Sequence, residues 1–111
     1  MPDYPRTSDG RYFVAKGRLW RCSDPSLSEA DRDAAVRELM AARRAVRDAG
    51  NAAETRAARD RVQAAKERLG ERGPVWWDDG APDVTRHAPW NTDYAEWWDA
   101  LDAAAQARGR E

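Results

Sequence analysis

Two long stretches of this sequence carry apolar residues at helical spacing, and only Gly50-Asn51 separates them. The spacing predicts one helix over about 29–49 and a second over about 52–69. A connection this short makes the two helices antiparallel neighbours. The stripes expected to face each other are Ala35, Leu39, Ala42, Val46 and Ala49 on the first helix, and Ala58, Val62, Ala65 and Leu69 on the second.

The beginning of the first helix allows two interpretations. Ser28 with Asp31 has the spacing of a capping pair, and so has Ser26 with Glu29. Either pair places the first helical turn near residue 29, so the helix is expected in both cases.

A seam built mostly of alanine buries little apolar area, so this helical hairpin needs further cover. Val36 and Met40 lie beside the stripe on the first helix. Aromatic residues from the ends of the chain could cover them. A second copy could also do so by forming a four-helix homodimer. We favour the homodimer.

The N-terminal residues predict an irregular arm over 1–10, followed by a β-hairpin over 11–22. Two prolines and an Asp-Gly pair interrupt regular structure in the arm. The second segment, RYFVAKGRLWRC, is rich in strand-forming residues on both sides of Lys16-Gly17. A two-residue turn there would pair Val14 with Leu19 and Phe13 with Trp20.

The C-terminal third predicts a Trp-rich loop over 71–91 and a helix over 93–107, capped by Thr92 or Asp93. The complete pattern indicates a mainly α fold in a single small domain over 1–111. It consists of an antiparallel helical hairpin and a C-terminal helix, with a small N-terminal β-hairpin and a Trp-rich loop.

Several classes of protein are not expected from this sequence. Cys22 and His87 are the only cysteine and histidine, which excludes an internal disulfide, a multi-cysteine zinc site and a two-histidine metal motif. No apolar run suggests a membrane span or a secretory signal, so we expect a cytoplasmic protein. We predict no catalytic residue, no resident metal and no cofactor.

The six tryptophans suggest the leading functional hypothesis. Adjacent tryptophans cannot both point in one direction on a helix or strand, so one ring of each pair should be exposed or half-exposed. Exposed tryptophan is typical of protein interfaces. We therefore predict a non-enzymatic module that binds an unidentified protein through the loop and the C-terminal helix. The contact residues would be Trp76, Trp77, Trp90, Trp97 and Trp98.

A first alternative is nucleic-acid binding through the β-hairpin. Basic and aromatic side chains alternate there, and together they could neutralise phosphates and stack on bases. The competing interpretation places Phe13 and Trp20 in the core and the arginines at its rim. The nucleic-acid residues would be Arg11, Tyr12, Lys16, Arg18, Trp20 and Arg21.

A second alternative is small-molecule or metal-dependent activity in the loop. A histidine near carboxylates can act as a general base, and clustered carboxylates can hold a divalent cation. Aspartates beside glycine and proline are also common turn formers. The candidate residues are Asp78, Asp79, Asp83, Arg86 and His87.

Four segments carry a resemblance to known proteins. They are RYFV with GRLWR in 11–21, ELMAARRAVR in 38–47, GERGPVWWDDGAPD in 70–83 and NTDYAEWW in 91–98. The chain resembles a group of short bacterial proteins of unassigned role, some of which are labelled "biopolymer transporter Tol". This resemblance implies a bacterial family and supplies no catalytic residues.

Overall fold

A computed structural model describes residues 3–111, so the first two residues of the predicted arm lie outside the described residues. The fold is mainly α with a small N-terminal β-hairpin, as predicted. The chain divides into two compact units, here called the terminal unit (3–22 with 77–111) and the hairpin unit (23–76). The single-domain organisation remains a prediction. In the described chain, no helix combines the length and the apolar character needed to cross a membrane.

The hairpin unit contains the two predicted long helices, α1 (Glu29–Asp48) and α2 (Ala52–Leu69). The Ser28 hydroxyl accepts a hydrogen bond from the Asp31 amide, so the first of the two proposed caps is the one used. Asn51 caps α2 in the same way. Because each cap satisfies an otherwise unpaired helix amide, the starts of both helices are sharply defined.

The seam between α1 and α2 is small and apolar, as predicted. Ala35 near the start of α1 shares a buried cluster with Leu69 at the end of α2, which is the arrangement of antiparallel helices. Arg61 reinforces the pair by donating to Glu38 across the helices at 2.9 Å. The buried residues of the predicted stripes are Ala35, Leu39, Ala42, Ala58, Ala65 and Leu69, and Val46, Ala49 and Val62 are half-buried.

The terminal unit contains the predicted β-hairpin, β1 (Tyr12–Ala15) and β2 (Arg18–Arg21). Lys16 and Gly17 form the two-residue turn with φ values of 56° and 73°. Left-handed backbone at both positions matches the right-handed twist of a hairpin. The predicted pairs of Val14 with Leu19 and Phe13 with Trp20 are both present.

Backbone hydrogen bonds from two other segments, the N-terminal arm and the turn at 85–87, cover both edges of this hairpin. On the β1 side, the Val14 amide donates to the Pro5 carbonyl at 2.9 Å. On the β2 side, the Leu19 amide donates to the His87 carbonyl and the Leu19 carbonyl accepts from the Arg86 amide, at 2.9 and 2.7 Å. The arm predicted as irregular therefore pairs with β1, because an uncovered two-stranded hairpin is marginal in water.

The buried face of the hairpin differs from the predicted one. Tyr12 and Leu19 are at most 1% exposed, and Arg21 is also buried. Phe13 and Trp20 lie on the opposite face and are half-buried. The interpretation of Phe13 and Trp20 as core residues is therefore corrected. Alternation along a strand sends neighbouring side chains to opposite faces, and the face with Tyr12 is the one that packs.

The C-terminal segment forms two short helices where one helix over 93–107 was predicted. They are α3 (Ala95–Asp99) and α4 (Ala103–Arg110), and a 3-10 turn (Pro89–Asn91) precedes them. Asp102 has extended backbone, and its carboxylate accepts a hydrogen bond of 2.7 Å from the Ala105 amide in the first turn of α4. This cap begins a new helix and so ends the old one.

The break allows α3 and α4 to bury a single ring together. Trp98 of α3 is 3% exposed. A Cβ atom built on Gly109 of α4 would lie 2.8 Å from the Trp98 ring, so only glycine permits this approach. The Gln106 side chain also donates to the Trp98 carbonyl at 2.9 Å. The break between α3 and α4 therefore lets Gly109 and Gln106 of α4 contact Trp98 of α3.

Candidate binding groove

A row of six aromatic rings runs through the terminal unit. Neighbouring rings meet in edge-to-face or tilted orientations, which favour aromatic packing. Three of the six rings, Tyr12, Trp77 and Trp98, are buried in the core, and the contacts along the row hold each ring against the next. The centroid distances are 5.6 Å for Trp77–Tyr12, 5.5 Å for Tyr12–Tyr94, 6.5 Å for Tyr94–Trp97, 6.4 Å for Trp97–Trp98 and 5.6 Å for Trp98–Trp90.

Carboxylates fix the two tyrosines of this aromatic row. The Tyr94 hydroxyl donates to Asp9 at 2.7 Å, and the Tyr12 hydroxyl donates to Asp83 at 3.3 Å. The Tyr12 hydroxyl also accepts from the Val84 amide at 3.0 Å. Burial, with the nearby carboxylate, raises the pKa of Tyr94 above its ordinary value. The tyrosines are therefore neutral hydrogen-bonding groups of the core.

An arginine packs on Trp77, the ring at one end of the aromatic row. The Arg11 guanidinium lies 4.7 Å from the centroid of the Trp77 ring and forms an ion pair with Asp79. The hydrogen bond from Arg11 lowers the pKa of the Asp79 carboxyl. Arg11 and Asp79 thus serve to hold Trp77, which is buried.

Trp90, at the free end of the row, is the exposed tryptophan. It is 45% exposed, whereas the other five tryptophans are buried or half-buried. One side of its ring packs on Trp98, which orients the indole without enclosing it. A ring held in this way presents apolar surface to solvent in a fixed direction.

An open groove of about 580 Å³ lies beside Trp90. Its walls come from the turn of the β-hairpin, from residues 85–88 and from the 3-10 turn. Lys16, Arg18 and Arg86 line it together with His87, and no acidic residue of the described chain does so. The groove therefore combines one exposed indole with three cations.

The backbone that carries two of these cations is unusual. Lys16 and Arg86 have φ values of 56° and 74°, and among residues 3–111 they are the two non-glycine positions with positive φ. Long side chains rarely adopt this conformation, which costs of the order of 1 kcal/mol or more. Hydrogen bonds hold it in place: the Gly17 amide donates to the Gly109 carbonyl and the Arg86 amide to the Leu19 carbonyl.

The structure separates the predicted partner-binding tryptophans. Trp77, Trp90, Trp97 and Trp98 belong to the aromatic row, whereas Trp76 lies in the hairpin unit beside Gly70. In each Trp-Trp pair one ring is buried and the other half-buried, as the sequence predicted. The unpaired Trp90 is the ring that reaches solvent.

The predicted nucleic-acid residues are also divided. Lys16 and Arg18 line the groove. Tyr12 and Arg21 are buried, and Trp20 is half-buried with its Nε1 donating to the Ala15 carbonyl at 2.9 Å. Arg11 is engaged with Trp77 and Asp79, as described above. The hairpin therefore offers cations to the groove but no free stacking platform.

The predicted ligand or metal residues fall into two groups. Arg86 and His87 line the groove. Asp79 is paired with Arg11, Asp83 accepts hydrogen bonds from Thr85 and Tyr12, and Asp78 is exposed. Within the part of the chain that the structure describes, no three His, Cys, Asp or Glu side chains are grouped to hold a metal ion.

The groove draws on all three predicted sets, yet no sequence pattern combined them. Lys16 and Arg18 came from the nucleic-acid set, Trp90 from the protein-binding set, and Arg86 and His87 from the ligand set. Their segments are distant in sequence, and the Leu19 hydrogen bonds bring them together. The Lys16-Gly17 pair is a local sequence signal that predicts the turn. No sequence feature indicated the left-handed backbone at Arg86.

Comparison with protein-family models, curated proteins and solved structures found no match to this chain. Membership of the group of short bacterial proteins therefore remains a prediction.

Proposed function

We propose that this chain is a non-enzymatic, cytoplasmic module that binds another protein through Trp90 and the groove beside it. The observation that carries the proposal is the 45% exposure of Trp90 at the end of a packed row of rings. Tryptophan is the residue type most enriched at the energetic centres of protein interfaces.

The packing of Trp90 supports binding in a second way. Association normally costs free energy to order the side chains of an interface. Trp90 already packs against Trp98, and the Gly17 position of the hairpin turn lies beside the other end of its ring. Binding would therefore cost little free energy to order the Trp90 side chain. Most of the free energy gained from apolar contact with Trp90 would then contribute to affinity.

Selection from a random peptide library tests this proposal. The wild-type chain is the target, and Trp90→Ala is the variant that removes the proposed contact. Arg56→Ala is the control, because Arg56 is an exposed side chain of α2 in the hairpin unit and is not one of the groove residues. We expect peptides that bind the wild type and the control but not Trp90→Ala. Failure to enrich any peptide, or equal binding to all three chains, would contradict the proposal.

We also propose that a second copy of the chain is a partner. Val36 and Met40 are 36% and 43% exposed beside the buried stripe of α1. Two large apolar side chains on one flank of a helix are suited to packing against their own symmetry mates. This homodimer uses residues of the hairpin unit, whereas the groove is built from residues of the terminal unit.

A further inference from the structure

We infer that the groove binds an acidic segment of the partner protein, with carboxylates against Lys16, Arg18 and Arg86 and an apolar side chain against Trp90. The inference rests on the proposed protein-binding function and specifies the chemistry of its partner. Three observations support the inference. They are the positive charge of the groove, the backbone conformation at Lys16 and Arg86, and the acidic character of segment 78–102.

The charge of the groove differs from that of the rest of its unit. Lys16 and Arg18 are exposed at the turn of the β-hairpin, and Arg86 is exposed on the opposite wall. Arg18 also donates to the Arg86 carbonyl at 3.1 Å, which ties the two walls together. Three cations without a facing carboxylate give a positive potential, which is complementary to an anionic ligand.

The backbone at Lys16 and Arg86 supports a role in binding. Glycine or asparagine would occupy these left-handed positions with less strain than a long side chain. Both positions instead have a cation, and both cations line the same groove. Residues held in strained conformations concentrate at ligand sites, where the surrounding structure holds them in place.

The surroundings favour an acidic peptide over a nucleic acid. Segment 78–102 carries seven acidic side chains, all of them exposed: Asp78, Asp79, Asp83, Asp93, Glu96, Asp99 and Asp102. A nucleic-acid strand has a charge on every nucleotide, so any length of strand outside the groove is repelled by a segment with this many exposed carboxylates. An acidic stretch in a protein can end where the groove ends. Among the aromatic side chains of residues 3–111, Trp90 is the one in the exposed class, whereas strand binding uses several exposed rings.

Fluorescence anisotropy with labelled probes tests the inference. The probes are a short peptide that alternates Glu and Leu, the same peptide with Gln in place of Glu, and oligothymidylate. The test variant combines Lys16→Asn with Arg86→Asn, because asparagine tolerates positive φ and removes the charge without disturbing the turn. The control combines Arg56→Gln with Arg59→Gln, two exposed arginines of α2, and changes net charge equally.

We expect the Glu peptide to bind the wild type, to bind more weakly as salt is raised, and to outcompete both other probes. The test variant should bind it on the order of tenfold more weakly, and the control should bind it unchanged. Arg18→Gln provides a second variant if the double substitution alters the circular dichroism spectrum. Equal binding of the Gln peptide, or tighter binding of oligothymidylate, would overturn the inference.

This result is separable from that of the peptide library. Peptides that require Trp90 but carry no excess of Glu or Asp would overturn the acidic-segment inference and leave the protein-binding proposal intact. If no library peptide requires Trp90, the proposed function itself fails. An excess of acidic residues among peptides that require Trp90 supports both.

Discussion

Gly109 shows how a single residue controls the packing of the terminal unit. Its missing side chain lets α4 approach the Trp98 ring, and a Cβ atom there would lie 2.8 and 2.9 Å from two ring carbons. We expect Gly109→Ala to reduce the free energy of unfolding by about 1–3 kcal/mol, because overpacking exceeds the small gain in helix propensity. Urea denaturation measures this change.

Gly50→Ala is the matched control for that substitution. A Cβ atom at Gly50 would meet only a Glu54 carboxylate oxygen, at the ordinary distance of 3.5 Å. Its free energy of unfolding should change by less than that of Gly109→Ala. Equal losses in the two variants would show that the contact with Trp98 is not the cause.

Trp98 and Trp90 pack against each other, but their truncation to alanine should change stability by different amounts. Trp98 is 3% exposed and Trp90 is 45% exposed. We expect Trp98→Ala to cost about 3–5 kcal/mol of stability, as is usual for a buried tryptophan, and Trp90→Ala to cost clearly less. Chemical denaturation of both variants tests this order. The reverse order would mean that Trp90 acts mainly in the core.

Asp9 and Tyr94 predict how stability depends on pH. Burial alone would raise the pKa of Asp9, but hydrogen bonds from Thr7 and Tyr94 outweigh it and hold the pKa below its ordinary value. The stabilisation is therefore complete above about pH 4 and is lost as the pH falls through the folded pKa. Burial raises the pKa of Tyr94, so its stabilisation is present below about pH 10 and is lost in stronger base.

Urea midpoints across the pH range measure this profile. Asp9→Asn should reduce the loss of stability in acid, because the residue that gains a proton has been removed. Asp93→Asn is the control, since Asp93 is exposed like Asp9 but is not the carboxylate to which Thr7 and Tyr94 donate. If Asp9→Asn loses as much stability in acid as the wild type, Asp9 is not the cause of that loss.

At the scale of elements, the turn of the β-hairpin makes a prediction of its own. Lys16 and Gly17 both have positive φ. Gly17→Ala should destabilise the terminal unit by about 1–2 kcal/mol, whereas Lys16→Asn should preserve or raise its stability. Thermal melts of the two variants distinguish these effects. A similar loss in both would show that the turn does not depend on left-handed backbone.

Elements whose signals are local could be predicted from the sequence, and elements shaped by distant contacts could not. Helical spacing and caps indicated α1 and α2, and Lys16-Gly17 set the hairpin register. The single helix predicted over 93–107 was wrong because the Asp102 cap and the burial of Trp98 both oppose continuity. The buried face of the hairpin was also misassigned, since alternation alone does not say which face packs.

The flank of α1 predicts the oligomeric state. Val36 and Met40 are exposed beside a seam that consists largely of alanine. We expect sedimentation equilibrium to give twice the 12.5 kDa chain mass for the wild type. Val36→Glu with Met40→Glu should give the monomer mass, and Arg56→Glu, an exposed position of α2, should leave the dimer intact. A wild-type species of 12.5 kDa at micromolar concentration would contradict the homodimer.

At the scale of the whole molecule, a net charge of −1 conceals an uneven distribution. The groove carries cations, while the segment that follows it is strongly acidic. The basic N-terminal region and the acidic C-terminal region can be read from the sequence, but not that Arg86 lines the same groove as Lys16. That arrangement depends on backbone hydrogen bonds at Leu19 between segments far apart in the chain. The sequence therefore predicted the separate segments that line the groove, but not that these segments lie together.

The central claim is that Trp90 and the cations beside it form the contact surface. Two-dimensional NMR of the nitrogen-labelled chain, titrated with the Glu-Leu peptide, tests it most directly because each of the six tryptophans contributes its own indole N–H signal. We predict that the Trp90 indole and the amides of residues 16–18 and 85–88 shift, while the indoles of Trp77 and Trp76 stay in place. Shifts confined to other residues, or none at saturating peptide, would contradict the claim.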